Sequence, residues 1–401
     1  MKFRCIGCGE VTEHIPISKT GCPNCGDLLE WLPEERTQVS SLLPPPQGFT
    51  LWRYDSLLPR FEGQQIVTLS EGGTPLAYAN ETGSSFSIHE LFLKLEGMNP
   101  TGSFKDRGMT VAYTAANALG YSTAICASTG NTASSMAAYG AKAGFKTIVL
   151  LPAGMVAGAK LRQAAAFGAS IIGIKGNFDA ALETVRNMEN KEGIALMNSL
   201  NPFRIEGQKT AAFEICDQLG TSPDWLIIPV GNGGNITSYW KGFMEFKKMG
   251  AIQTLPKMVA VQAEGAAPLA APLMQGKMSP HFIERPETEA SAIRIGKPVN
   301  WKRAMEAVRA SGGCAVTVSD SEMKEARRML AEKEGVLTEL ASASTIAALG
   351  KLRKAKRIGD EDTVVCVLTG NGLKDTEEVP EVVTADGKQE LASIVESIVS
   401  G

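Results

Sequence analysis

The chain has no strong charge bias, no long apolar run and no low-complexity tract. Its 401 residues carry 40 Lys and Arg against 43 Asp and Glu, a formal net charge of −3. No long Lys/Arg run supplies a basic field, so nucleic acid is not an expected partner. No stretch of about 18 apolar residues occurs, and the opening Met1-Lys2-Phe3-Arg4-Cys5 lacks the apolar core of a signal peptide. No membrane partner is expected, and the expected location is the cytoplasm. Repeats at solenoid spacing are also missing.

What remains is a globular chain with 44% hydrophobic residues, long enough for two or three domains. Four of its eight cysteines form Cys5-x-x-Cys8 and Cys22-x-x-Cys25, each pair followed by glycine (Gly9, Gly26). Two such turns can point four thiolates at one tetrahedral centre, so a structural zinc site in a small N-terminal ribbon or knuckle, residues 1–40, is expected. The competing reading is a redox pair or disulfides, which a reducing compartment opposes. Cys126, Cys216, Cys314 and Cys366 are scattered in apolar segments and read as core residues.

A proline-rich joint, Leu42 to Gly48, closes this module. Beyond it, strand and helix signals alternate about every 24 residues. Strands are expected at Thr123 to Ala127, Thr147 to Leu151 and Ser170 to Ile174, with helices through Ser134 to Ala143, Gly158 to Phe167 and Phe178 to Asn190. A second strand series covers Trp225 to Val230, Met258 to Gln262, Ala315 to Val318 and Val364 to Leu368. This is the rhythm of βαβ units, and it predicts an α/β protein with two doubly wound parallel-sheet domains, ligands lying beyond the carboxyl ends of the strands.

Four segments carry candidate chemistry. Pro100-Thr-Gly-Ser-Phe-Lys-Asp-Arg107 sets Lys105 between a glycine turn and a helix expected from Gly108 to Leu119, where burial would lower its pKa and make it a nucleophilic amine. Ala127-Ser-Thr-Gly-Asn-Thr-Ala-Ser134 gathers hydroxyls and an amide at a helix start, so the segment can bind a carboxylate or an electron-rich ring oxygen, with Ser128 and Thr132 as the candidate substrate contacts; a ligand-free cap is the alternative. Gly231-Asn232-Gly233-Gly234-Asn235 lets backbone amides close on a phosphate. It is not the dinucleotide pattern, because Ala251 and Ile252 stand where an acidic residue for a ribose would fall. Thr369, ending an apolar run, presents a hydroxyl that can face a pyridine nitrogen and leave it neutral.

Taken together with Leu69-Ser-Glu-Gly-Gly-Thr-Pro75 and Asn201-Pro-Phe-Arg-Ile-Glu-Gly-Gln-Lys-Thr210, these segments resemble the threonine synthase family, pyridoxal phosphate enzymes of the tryptophan synthase β-like fold (fold type II). The resemblance runs from about Trp52 to Asp375 and extends to the cysteine knuckle of some members. It implies a small domain at 101–204 and a large cofactor-binding domain from 45–100 and 205–395. It implies that Lys105 holds pyridoxal 5'-phosphate covalently and shuttles protons, that Asn131 meets the ring hydroxyl, that Gly231, Asn232, Gly233, Gly234 and Asn235 hold the cofactor phosphate, and that Thr369 meets the ring nitrogen. Asn198, Ser199 and Arg204, with Lys209 nearby, would receive the phosphate of O-phosphohomoserine.

The implied reaction converts O-phospho-L-homoserine and water to L-threonine and phosphate, in an enzyme expected to be a homodimer. Two other classes share most of these residues. One is an O-phosphoserine β-replacement enzyme such as a cysteate synthase, or a threonine or serine dehydratase. The other is a zinc-knuckle binding module on a silent scaffold.

Overall fold

Alternate residues of the strand Trp225–Pro229 enter different cores: Trp225 and Ile227 pack on one side, Leu226 and Ile228 on the other. Apolar residues without alternation of polarity are what a strand covered on both faces requires. The computed structural model describes residues 1–13, 15, 17, 20–33, 49–153, 158–175, 184, 185, 188, 193–375 and 395. The proline-rich joint and most of the helix expected at Phe178 to Asn190 lie outside the described residues, as do residues 34–40 of the expected module and 376–394 of the expected large domain.

Three sheets organise the chain. β1 (Lys2–Cys5), β2 (Val11–Thr12) and β3 (Leu29–Leu32) make an antiparallel sheet in the order β2-β1-β3. β4 (Leu76–Tyr78), β5 (Glu90–Leu95), β10 (Trp225–Pro229), β11 (Lys257–Ala263), β12 (Cys314–Val318) and β13 (Thr363–Leu368) form a sheet ordered β12-β11-β10-β13-β5-β4, parallel except for β4. β6 (Thr123–Ala127), β7 (Lys146–Pro152), β8 (Ser170–Ile174) and β9 (Ile194–Leu196) form a parallel sheet ordered β8-β7-β6-β9. β6 splits its side chains as β10 does: Ala124 and Cys126 enter one core, Ile125 and Ala127 another. The α/β class and both parallel sheets agree with the sequence reading.

Two differences have local causes. The Lys105 helix spans Lys105–Ala118, three residues earlier than expected, because Phe104 already has right-handed helical angles and Asp106 lies in its first turn, where an acidic group suits the helix dipole. The 18-residue helix Pro202–Leu219 was not expected at all. It starts with proline after an Asn201 cap, whose side chain accepts from Phe203 N, and it is buried over its first 15 residues. A helix buried nearly all round shows no amphipathic stripe to read.

A closed charge network fixes the Lys105 helix. The Arg107 guanidinium donates to Glu96 (Nε–Oε2 2.7 Å, Nη2–Oε1 2.8 Å) and to Glu214 (Nη1–Oε1 2.7 Å, Nη2–Oε2 2.6 Å), while Lys94 donates to Glu214 at 2.9 Å. All four side chains are buried, and two cations balance two anions. Although burial opposes charge, Arg107 and Lys94 hold Glu214 far below the usual carboxylate range.

Candidate active site

The carboxyl ends of β6, β10 and β13 converge on a cavity of about 380 Å³. Lys105 lies in its wall, with Ser128, Thr129, Gly130, Asn131 and Thr132 from the turn after β6 and Gly231 to Asn235 from the turn after β10. Thr369, one residue past β13, completes this part of the lining, and Ser199 and Arg204 border it as well. Segments separated by more than two hundred residues thus meet where a parallel sheet presents its loops.

The glycine turn is shaped by close approach. Gly233 has φ +81° and caps the helix Gly234–Lys248; a Cβ there would meet Ala304 Cβ at 3.0 Å and Asn300 O at 3.1 Å. Asn300 N donates to Asn232 O at 2.9 Å, tying the turn to the next element. The helix start aims free backbone N–H groups into the cavity side, and both polar atoms of the Asn235 side chain are buried with no hydrogen-bond partner among the described residues. Asn131 Oδ1 and Arg204 Nε are in the same condition. Buried polar groups are rarely left so unless a ligand completes them. A phosphate at the helix start and a polar heterocycle between Asn131 and Thr369 fit this donor and acceptor set.

Lys105 is pushed down to about 7. Desolvation is the main cause, the Arg204 cation adds to it, and Glu339 acts in the opposite direction. Arg204 is itself lowered to about 10 by burial. Its Nη1 donates to Met197 O at 3.1 Å. The pairing with Glu206 that a surface arginine would make does not occur: Glu206 accepts from Lys209 at 2.6 Å and forms an ion pair with Lys241 at 2.9 Å. Lys209 therefore faces away from the cavity, towards Glu245 (2.8 Å) and the Trp31 ring (5.1 Å to Nζ), and does not join Arg204.

Asn198 does not line the cavity. Its amide is spent on one residue, accepting from Ala127 N and donating to Ala127 O, both at 3.0 Å, so it pins the end of β6 that leads into Ser128. Thr369 Oγ1 lies 2.9 Å from Ser342 Oγ, which accepts from Gly370 N at 3.0 Å.

Several groups at the site escaped the sequence reading. Glu339, buried, accepts both of the Asn131 Nδ2 contacts (2.9 and 2.8 Å) and lies 3.0 Å from Lys160 Nζ. Lys160 also reaches Asp375 at 2.8 Å, and these two anions hold it above its ordinary value despite the opposing effect of burial. Lys374, lowered to about 8 chiefly by desolvation, donates to Thr101 O at 2.7 Å. Asp375 lies six residues after Thr369, at the end of the run Leu368-Thr-Gly-Asn-Gly-Leu-Lys-Asp375, so that run offered a usable signal; Glu339 and Lys160 stand in ordinary helix-start sequences and carried none.

At the N-terminus the four expected cysteines do converge. Cys5 Sγ lies 3.4 Å from Cys25 Sγ and Cys8 Sγ 3.8 Å from Cys22 Sγ, with all four sulfur atoms within 4.8 Å of one another. No helix among the described residues is long and apolar enough to cross a membrane.

Fold and cavity together describe a pyridoxal phosphate site, and residues 67–370 match the family model described as pyridoxal-phosphate dependent enzyme. The chain belongs to that family. It is 50% identical over 377 residues to the threonine synthase of Methanocaldococcus jannaschii, covering 94% of this chain and 93% of the relative. The threonine synthase of Halalkalibacterium halodurans is 51% identical over 326 residues, 81% and 89% of the two chains. Among solved structures, maize serine racemase superposes with a TM-score of 0.65 at 19% identity, over 82% of this chain and 92% of the other. The processed threonine deaminase isoform 2 of Solanum lycopersicum gives 0.64 at 19%, over 97% and 100%. These two similarities establish the fold.

Proposed function

We infer that this chain is a threonine synthase, converting O-phospho-L-homoserine and water to L-threonine and phosphate. The observation that carries the reading is the presence of two separate anion-binding features in one cavity. The Gly231 to Asn235 turn suits the cofactor phosphate, and Arg204, buried without a carboxylate partner among the described residues, suits a second phosphate. The identity to threonine synthases over most of both chains supports the same assignment.

When bound, pyridoxal phosphate supplies an electron sink for negative charge at Cα and, through conjugation, at Cβ. Lys105 takes and returns protons at Cα, Cβ and Cγ; its depressed pKa keeps a neutral amine available near pH 7. Asn131 and Thr369 orient the ring from its hydroxyl and nitrogen edges. Ser128 and Thr132 receive the substrate carboxylate, and Ser199 and Arg204 bind the departing phosphate, with Asn198 holding the Ser128 turn in place. Residues 101–204 act as the small domain and the six-stranded sheet as the body of the large one.

We assign the four-cysteine cluster to structural zinc. Four thiolates at about 2.3 Å from one tetrahedral ion lie about 3.8 Å apart, close to the spacing found here.

The test is Arg204→Ala, assayed with O-phosphohomoserine beside O-phosphoserine and free threonine. The variant should lose about 2–5 kcal/mol of kcat/KM on the phosphorylated substrate while keeping the cofactor's visible band. Wild-type-like turnover would place the substrate phosphate elsewhere, and release of ammonia from threonine at a comparable rate would favour a dehydratase.

A further inference from the structure

The four-cysteine module is not a pendant. Phe3, fully buried in β1, meets the Phe203 ring edge-on with centroids 5.7 Å apart, and Phe61 meets that ring at 5.7 Å in a tilted contact. Phe203 and Arg204 are consecutive in the first turn of one helix, so their side chains leave it about 100° apart. The ring that Phe3 clamps therefore sets the rotation of the turn that presents Arg204 to the cavity.

A second tie runs through the backbone. Leu196 N donates to Ile17 O of the module at 3.0 Å, Leu196 O accepts from Asn201 Nδ2 at 2.9 Å, and Asn201 Oδ1 accepts from Phe203 N at 3.0 Å. The next carbonyl along, Met197 O, is the one that receives Arg204 Nη1. A third tie joins Glu30 of β3 to Lys241 at 3.1 Å and to Arg303 at 3.6 Å, on the helices that begin at the glycine turn and at Asn300.

We propose that Phe3 is a positioning residue for the substrate-phosphate arginine: the cysteine module, through the Phe3–Phe203 contact, holds Arg204 at the angle that binds the leaving phosphate. The inference rests on the phosphate role given to Arg204 above. Cofactor binding does not depend on the Phe3–Phe203 contact, because the Lys105 helix is held by the Arg107 network and the glycine turn by the Asn300–Asn232 hydrogen bond.

The experiment compares Phe3→Ala, Phe3→Leu, Arg204→Ala and the double variant Phe3→Ala/Arg204→Ala as holoenzymes. It measures KM for O-phosphohomoserine, the inhibition constant of inorganic phosphate and the cofactor's visible spectrum. Phe3→Ala should raise KM and the phosphate inhibition constant together by about tenfold with the spectrum unchanged, and Phe3→Leu by about two- to threefold. In the Arg204→Ala background, Phe3→Ala should add nothing. If Phe3→Ala does not fold, Phe3→Leu placed in the wild-type and in the Arg204→Ala backgrounds carries the same comparison.

An unchanged KM and phosphate constant in the Phe3 variants beside a loss in Arg204→Ala would overturn this inference alone. So would an equal Phe3 effect in both backgrounds. An Arg204→Ala enzyme with normal KM and normal phosphate inhibition would refute the role of Arg204, and this inference with it.

Discussion

If Lys105 is as easily deprotonated as its surroundings imply, the apoprotein should capture pyridoxal phosphate with a pH dependence centred near 7. An ordinary lysine at 10.5 is neutral in about one molecule in 3,000 at pH 7, whereas a group at about 7 is neutral in about half. The advantage is about a thousandfold in reactive amine. In free energy the protein sets about 3–5 kcal/mol against charging this side chain, the lower figure allowing for the part that water reaches.

The sign of each contribution is testable separately. Only the neutral amine attacks the aldehyde, so the capture rate should be low below the pKa and rise with pH through it. Removing the neighbouring cation in Arg204→Ala should let the ammonium persist to higher pH and move the midpoint up. Glu339→Gln removes the anion that favours the ammonium and should move it down. Stopped-flow growth of the visible band between pH 5 and 10 measures all three. A wild-type midpoint near 10, or variants moving in the opposite directions, would refute the account.

Lys105→Ala should abolish turnover while leaving the fold intact, since alanine suits the first helical position; after borohydride reduction of the wild type, mass spectrometry should find the pyridoxyl adduct on Lys105 and on no other lysine. Glu214→Gln leaves Arg107 and Lys94 sharing too little negative charge in a buried site, and urea denaturation should show a loss of about 3–5 kcal/mol, against less than 1 if the network is inert. In Gly370→Ala the new Cβ would collide with Glu339 Oε2, displacing a carboxylate that holds Asn131 and Lys160; cofactor affinity, followed by fluorescence titration, should fall at least about tenfold. Replacing Cys22 and Cys25 by serine should release one zinc per chain, measured by atomic emission, with part of the activity retained; a wild-type protein purified without chelator and free of zinc would contradict the metal assignment.

Local rules made much of this architecture readable. β6 and β8 occupy the residues their apolar runs indicated, because β-branched and small apolar residues bounded by glycine or polar turns suit a strand, whether it is buried like β6 or exposed at the sheet edge like β8. The turns after β6, β10 and β13 were legible for a related reason: Ser, Thr, Asn and Gly clusters have few uses at a strand end apart from capping a helix or receiving a ligand. Residues whose meaning depends on long-range partners were not legible. Glu339 becomes part of the site only because β13 sets Gly370 against it, and Lys209 leaves the site only because Glu206 and Glu245 outbid the cavity for its charge. The Pro202–Leu219 helix was hidden by its own burial, since surroundings that are apolar on every side leave no periodic contrast in the sequence.

The Arg107 network also divides ownership of the chemistry. Lys105 is adjacent to a side chain bolted to Glu96, one residue past β5, and to Glu214 of the Pro202–Leu219 helix, which Lys94 of β5 also holds, so although it falls within residues 101–204 the reactive amine is tied to the sheet that carries the phosphate turn. Ser128, Asn131 and Thr132 ride on the other sheet, the one with β6 at its centre. A tilt between the two sheets would alter the grip on the substrate carboxylate more than the distance from Lys105 to the cofactor's phosphate anchor, although the Ser135–Asp106 hydrogen bond (2.5 Å) also joins the Lys105 helix to the helix that follows β6. For anyone recombining such enzymes, the exchangeable piece is the β6 sheet rather than all of residues 101–204, and a transplanted sheet would meet a lysine already registered to its anchor.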